Sequence, residues 1–135
     1  MIPSKLYKKI VESVPILCVD VVLTYKDKFV LVKRKTEPLK DKWWVVGGRA
    51  FKGEKTLDTA KRKVTGEVNG IAKNFKRVGI YEDSYMKSAW GVPTSSVSVV
   101  YTAELVNLNL VPDKTISAIK LFDKLPTRFL KNFHD

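Results

Sequence analysis

Residues 48–70 read GRAFKGEKTLDTAKRKVTGEVNG, and this stretch carries the clearest pattern in the chain. Four of its apolar residues fall within about 80° of one another at the 100° per residue of an α-helix. They are Leu57, Ala60, Val64 and Val68. One apolar face of this kind predicts a helix over residues 57–68.

The segments on either side of this helix alternate between the two kinds of secondary structure. Runs rich in β-branched and aromatic residues predict strands at 16–24, 29–32, 43–46, 75–81, 97–105 and 119–122. Residues 25–28 predict a hairpin turn between the first two strands. Apolar spacing predicts a helix over 4–13 with Ser4 as its cap, and another over 126–133 with Pro126 at its start. This order indicates an α/β (α+β) layered domain.

Composition limits what the chain can be. It has 135 residues, 44% of them hydrophobic, which is enough to bury a core in one domain spanning 1–135 and excludes global disorder. The net charge of +11 indicates a polyanionic partner, such as a nucleic acid, an acidic membrane surface or a phosphorylated ligand. The apolar run at 14–23 is too short for a membrane span, and no cleavage site follows it. Since Cys18 is the only cysteine, we expect it to be a small core residue in a cytoplasmic protein.

Residues 48–70 resemble the Nudix box. Its pattern is Gly, five residues, Glu, seven residues, then Arg-Glu-aliphatic-any-Glu-Glu-any-Gly-aliphatic. The residues that match in register are Gly48, Glu54, Arg62, Val64 and Glu67. Those that depart from the pattern are Lys63, Gly66, Asn69 and Gly70. The resemblance implies a Nudix-like α/β/α sandwich with a mixed β-sheet, and an ion pair between Glu54 and Arg62 that braces the loop against the helix.

The box also implies a metal site. Positions 63, 66 and 67 lie within about 100° of one another on the helix, so carboxylates there would converge on a hard cation such as Mg²⁺. In this chain only Glu67 is a carboxylate, Gly66 has no side chain, and Lys63 reverses the charge. We therefore expect weaker metal affinity than a full box provides.

Outside the box, residues 7–20, 31–36 and 43–49 resemble the GDP-mannose mannosyl hydrolase branch of the family, which also lacks carboxylates at the positions of Lys63 and Gly66. The resemblance implies that Arg34 and Arg49 bind the diphosphate. It places Asp20 near the sugar, and these three residues are the catalytic candidates. Glu67 and the carbonyl group of Gly47 would hold magnesium. The branch pairs through its N-terminal region, so a homodimer is expected.

The general base is the open part of this interpretation. In the branch, water attacks the anomeric carbon of the sugar, assisted by a Gln-His pair shortly after a Pro-Asp. Here the matching positions are Thr115 and Ile116, and neither side chain can act as a base. The candidate substitutes are Glu82, Asp83 and Asp113, whereas His134 is next to the C-terminus.

Three hypotheses remain open at this point. The first is a magnesium-dependent hydrolase of a nucleoside diphosphate sugar or a related diphosphate. The second is a Nudix-like domain that has lost turnover and binds such a nucleotide. The third is a basic RNA-binding protein. It is less favoured than the other two, because lysines distributed over every segment are typical of a solvated surface and no RNA-reading motif accompanies them.

Overall fold

The computed structural model describes residues 2–135. The elements in chain order are α1 (Ser4–Ser13), β1 (Ile16–Tyr25), β2 (Lys28–Arg34), β3 (Trp43–Trp44), β4 (Val46–Arg49), α2 (Thr56–Val68), β5 (Ala72–Tyr85), β6 (Thr94–Leu105), β7 (Ile116–Phe122), α3 (Thr127–Asn132) and β8 (Phe133–His134). No helix within these residues is long and apolar enough to cross a membrane.

Three sequence predictions about these elements are wrong in detail. Ser4 lies inside α1, Pro3 takes the N-cap position, and no side chain caps the helix. The strand predicted at 43–46 is two strands, because β3 pairs with β2 whereas β4 pairs with β1, and the chain changes partner at Val45. The last helix ends at Asn132, since Phe133 is extended and pairs with Tyr81.

A mixed sheet forms the centre of the molecule, with the order β3-β2-β1-β6-β5-β8. β1 runs parallel to β6 from Ile16 to Thr24. The opposite edge of β1 is shared by two antiparallel partners, β4 along Cys18–Val21 and β2 along Leu23–Tyr25. This arrangement holds the two glycines of β4, Gly47 and Gly48, directly beside the middle of β1.

Helices cover both faces of the sheet, which confirms the predicted sandwich. On one face, Ala60, Val64 and Val68 of α2 join a buried cluster with residues of β1, β2 and β6. On the other face, Phe129 of α3 stacks on Tyr81 at 5.0 Å between ring centroids and meets Trp44 edge-on at 5.7 Å. Of the predicted apolar stripe, Ala60, Val64 and Val68 thus face the sheet, whereas Leu57 is exposed. Lys63 and Glu67 point toward β4.

Candidate active site

The loop before α2 is held against the helix by the carboxylate of Glu54. Arg62 donates to it twice, from Nε to Oε2 at 2.8 Å and from Nη2 to Oε1 at 3.0 Å. The hydroxyl of Thr59 and the backbone N–H of Phe51 also donate to Oε1, at 2.7 and 3.0 Å. These donors, Arg62 first, lower the pKa of Glu54 to about 2. The structure thus brings Glu54 and Arg62 together, as their register in the box predicts.

Arg62 also links this brace to Arg49 at the end of β4. Its Nη2 donates to the carbonyl oxygen of Arg49 at 3.0 Å, and its guanidinium lies 3.7 Å from the centroid of the Phe51 ring. The Arg49 guanidinium in turn lies 5.0 Å from the ring centroids of both Phe51 and Tyr7. Stacking between aromatic rings limits the positions open to the Arg49 side chain, so its charge is held in place.

Asp20 is a buried carboxyl at the centre of β1, 8% exposed, and its register partner in β4 is Gly47. The approach is so close that a Cβ added to Gly47 would collide with the Asp20 carboxylate. Burial raises the pKa of Asp20 to about 7, although the hydroxyl of Ser98 and the charge of Arg34 act to lower it. A carboxyl of this kind can gain or lose a proton near neutral pH.

Glu67 lies on the other side of the same glycine. Its side chain is buried, and its Oε1 accepts a hydrogen bond from the backbone N–H of Gly47 at 2.9 Å. The ammonium of Lys63, one helical turn earlier, lies 3.9 Å from its Oε2. Burial raises the pKa of the Glu67 carboxyl, whereas the charge of Lys63 lowers it. Oε1 of Glu67 therefore faces a hydrogen-bond donor, Oε2 faces a cation, and the chain itself supplies both groups.

These surroundings do not fit a magnesium ion. Magnesium requires several oxygen ligands in near-octahedral geometry. The two expected ligands are the carbonyl group of Gly47 and the carboxylate of Glu67. One oxygen of Glu67 accepts a hydrogen bond from the N–H of Gly47, and the other faces the Lys63 ammonium. Nowhere in residues 2–135 do three or more His, Cys, Asp or Glu side chains group in a way that could hold a metal.

A cavity of about 290 Å³ opens beside this cluster, between β4, the end of β2 and the first helix. Arg34 and Arg49 both line it, and so do the aromatic rings of Tyr7 and Trp90, whose centroids are 4.6 Å apart. Arg34 is oriented by a hydrogen bond from its Nε to the carbonyl oxygen of Pro38 at 2.7 Å. The cavity thus has two guanidinium groups and two aromatic faces in its wall, which suits a ligand with an anionic part and a flat ring.

Cys18 also lines this cavity, so the prediction of a small core residue is wrong. It is half-buried near the start of β1, and its side chain, like that of Asp20, points away from the α2 side, which Val19 and Val21 face. Burial and the neighbouring Asp20 raise the pKa of its thiol to about 12. A thiol with so high a pKa is protonated at neutral pH and is a poor nucleophile.

Sequence reasoning missed two aromatic residues of the cavity wall, Tyr85 and Trp90. Tyr85 ends β5, and Trp90 lies in the loop between β5 and β6. A loop has no periodicity to show which of its residues turn inward. Tyr7, by contrast, lies in the predicted helix at 4–13, where its three-residue spacing to Ile10 could have placed it on the inward face.

The two positions that match the missing catalytic pair are not available for catalysis. Ile116, the first residue of β7, is 3% exposed and belongs to the buried cluster on the α2 side of the sheet. The hydroxyl of Thr115 donates to Oδ1 of Asp113 at 2.6 Å. The backbone N–H of Asp113 donates to the carbonyl oxygen of Glu67 at 2.9 Å, so this turn is attached to the end of α2.

The acidic candidates for the base differ in their surroundings. Asp83 accepts hydrogen bonds from Arg128 at 2.6 and 3.0 Å and from the hydroxyl of Tyr81. Glu82 is exposed, and His134 lies on β8 at the far edge of the sheet. Only Asp113, of the three carboxylates considered, is close enough to Glu67 to raise its pKa.

Comparison with known proteins gives a consistent picture. The family model described as the NUDIX domain matches residues 15–125. The "Low-salt glycan biosynthesis protein Agl8" of Haloferax volcanii is 31% identical over 125 residues, which cover 90% of this chain and 80% of that protein.

Solved structures share the fold at lower identity. The NUDIX domain of Shewanella oneidensis NrtR, in complex with ADP ribose, has a TM-score of 0.69 at 20% identity and covers 96% of this chain and 94% of that chain. A MutT/nudix family protein from Enterococcus faecalis has a TM-score of 0.67 at 21% identity over 90% of this chain. The present chain spans about half of the Enterococcus protein, 51%. The family model covers most of the chain and the sequence relative exceeds 30% identity, so the chain belongs to the NUDIX family.

Proposed function

We propose that this protein hydrolyses a nucleoside diphosphate sugar in the cavity between β4 and α1. The observation that carries the proposal is that Arg34 and Arg49 line one cavity with Tyr7 and Trp90. A nucleoside diphosphate joins a doubly anionic linker to a flat base, so this wall matches both parts of the ligand.

The guanidinium groups would bind the diphosphate. A planar fork can donate two parallel hydrogen bonds to phosphate oxygens, which a lysine cannot do. Arg34 is oriented by Pro38, and Arg49 by the rings of Tyr7 and Phe51, so little side-chain freedom is lost when the ligand binds. We therefore assign the charge recognition to these two arginines.

The sugar would lie beside Asp20. This carboxyl does not itself line the cavity, but it lies against Gly47, which does, and the charge of Arg34 acts on it. A buried carboxyl is suited to accept hydrogen bonds from sugar hydroxyls, because desolvation strengthens each such bond. Asp20 would thus orient the hexose for attack by water at the anomeric carbon.

The relatives agree with this class of ligand. The Haloferax protein is named for glycan biosynthesis, and the Shewanella domain was crystallised with ADP ribose, a nucleoside diphosphate joined to a sugar. This supports the substrate class and leaves the base and the sugar to experiment.

The test is incubation with a panel of GDP-, UDP- and ADP-sugars, with magnesium and separately with EDTA, while NMR follows the anomeric protons. We expect release of a free hexose and of the intact nucleoside diphosphate. Arg34→Lys should reduce turnover, whereas Arg77→Lys is the matched control because Arg77 is exposed on β5. If no sugar in the panel is released in either buffer, the proposal of hydrolysis fails.

A second candidate function is binding of the same ligand without turnover. It is favoured by Ile116, which is buried in the core, and by Thr115, whose hydroxyl is engaged by Asp113. Calorimetric binding of a nucleotide sugar with no product by NMR would establish it. The expected homodimer, and a single domain over 1–135, remain predictions that light scattering and limited proteolysis can check.

A further inference from the structure

Lys63 occupies a position at which the Nudix box has a metal-binding carboxylate. It is on α2, one turn before Glu67, and its Nζ is 3.9 Å from Oε2 of that carboxylate. The side chain is only 23% exposed. A Cβ added to Gly48 would lie 2.7 Å from Lys63 Cε and 3.0 Å from its Nζ. The lysine therefore lies against Gly48 in β4, next to the expected ligands Gly47 and Glu67.

The geometry leaves little room for a second cation. Gly47 donates its N–H to one oxygen of Glu67, and the ammonium faces the other oxygen. One carboxylate is thus balanced by one ammonium, and a divalent ion bound at Oε2 would meet the lysine charge at close range. This is the physical reason that the cluster does not fit magnesium.

We infer that the Lys63 ammonium is a built-in cation that takes the place of the metal at Glu67 and binds the diphosphate of the ligand directly. The inference rests on the proposed function only for the identity of the ligand. An ammonium carries three N–H donors. One can be directed at Glu67, and the others remain for phosphate oxygens.

The neighbouring charges support this role. The charge of Arg34 lowers the pKa of both Asp20 and Glu67, so a second cation acts on the carboxylate that Lys63 faces. The Lys63 charge also lowers the pKa of Cys18, whose side chain lines the cavity, so its field reaches the space where the diphosphate would lie. Lys63 does not itself line the cavity, but its side chain lies against Gly48, which lines it together with Arg34 and Arg49.

The first experiment measures binding of GDP, and of inorganic pyrophosphate, to the purified chain by calorimetry in EDTA and in magnesium. We expect the wild-type Kd to differ by less than about twofold between the two buffers. Lys63→Met should weaken binding about ten- to a hundredfold in EDTA, because a charge-assisted contact is lost. Lys61→Met is the matched control, since Lys61 is exposed on the same helix and lies near Phe75, away from the cavity.

The second experiment uses Mn²⁺ alone, followed by electron paramagnetic resonance, and needs no nucleotide. The wild-type chain should bind Mn²⁺ weakly, and Lys63→Glu should bind it at least tenfold more tightly because it adds a second carboxylate beside Glu67. Thermal melts check that the variants are folded. Tight Mn²⁺ binding by the wild type, or equal binding by both proteins, overturns the inference. If GDP and pyrophosphate fail to bind in either buffer, the proposed function fails, and the Mn²⁺ comparison still decides the role of Lys63.

Discussion

Replacing Gly47 by alanine tests the closest approach in the site, that of β4 to β1. A Cβ at this position would lie 2.5 Å from the carbonyl oxygen of Val19 and would collide with the carboxylate of Asp20. Asp20 could turn aside, but the Val19 carbonyl is backbone in a strand that pairs with β6 along its length. The alanine can be accommodated only if the two strands separate.

The cost follows from the size of that separation. Ordinary contact between heavy atoms is about 3.5 Å, so the strands must move apart by about 1 Å. Overpacking of this kind costs about 1–3 kcal/mol, and the backbone it strains belongs to the fully buried Val19. We take about 2 kcal/mol. With a urea m-value of about 2 kcal/mol/M, the unfolding midpoint should fall by about 1 M.

The assay is urea unfolding followed by tryptophan fluorescence and circular dichroism, with sugar release measured on the same samples. Gly66→Ala is the control, because a Cβ at Gly66 meets nothing within 4 Å. That substitution lies within α2 and should raise stability by about 0.5–1 kcal/mol, since alanine is the better helix former. A Gly47→Ala protein that unfolds at the wild-type midpoint would refute the close approach of the strands and the position assigned to Asp20.

Three further predictions concern the aromatic cluster of Phe129 and Tyr81, the ion pair of Glu54 and Arg62, and the cavity. Phe129→Ala removes a ring that stacks on Tyr81, and should cost about 3–5 kcal/mol and lower Tm by roughly 10–18 °C in a calorimetric scan. Because Arg62 lowers the pKa of Glu54 from 4.5 to about 2, the ionised Glu54 stabilises the folded state above about pH 4.5, and this contribution is lost as the pH falls toward 2. Glu54→Gln should therefore have a lower Tm than wild type at pH 7 and a smaller difference at pH 3; a constant difference would contradict the assigned pKa. Arg49→Lys should raise the Kd for GDP about tenfold by calorimetry, since it loses the planar fork, and an unchanged Kd would remove Arg49 from the binding site.

Much of the helix that carries the box could be predicted from local pattern alone. Apolar residues at helical spacing define the side of α2 that faces the sheet, and this also defines the side on which Lys63 and Glu67 must lie. Glu54 and Arg62 are eight residues apart across a short loop, so their contact depends on few degrees of freedom. Local geometry is therefore sufficient for these elements.

Other parts of the site depend on contacts between distant segments. The parallel pairing of β1 with β6 joins residues about 80 positions apart, and nothing in either segment specifies that partner. Trp90 reaches Tyr7 from a loop of irregular structure. The division of residues 43–49 into two strands arises because two neighbours in the sheet compete for them.

The chain's own pattern determined which charges the site contains, Arg34, Arg49, Glu67 and the unusual Lys63, because residue type and helical period are local properties. Only the tertiary structure decided where those charges meet. The distance from Lys63 to Glu67 is set within one helix. The position of the Lys63 side chain against Gly48 depends on the register of β4 against β1. That register is set by the packing of the whole sheet, so the position of Lys63 against Gly48 arises only when the segments are assembled.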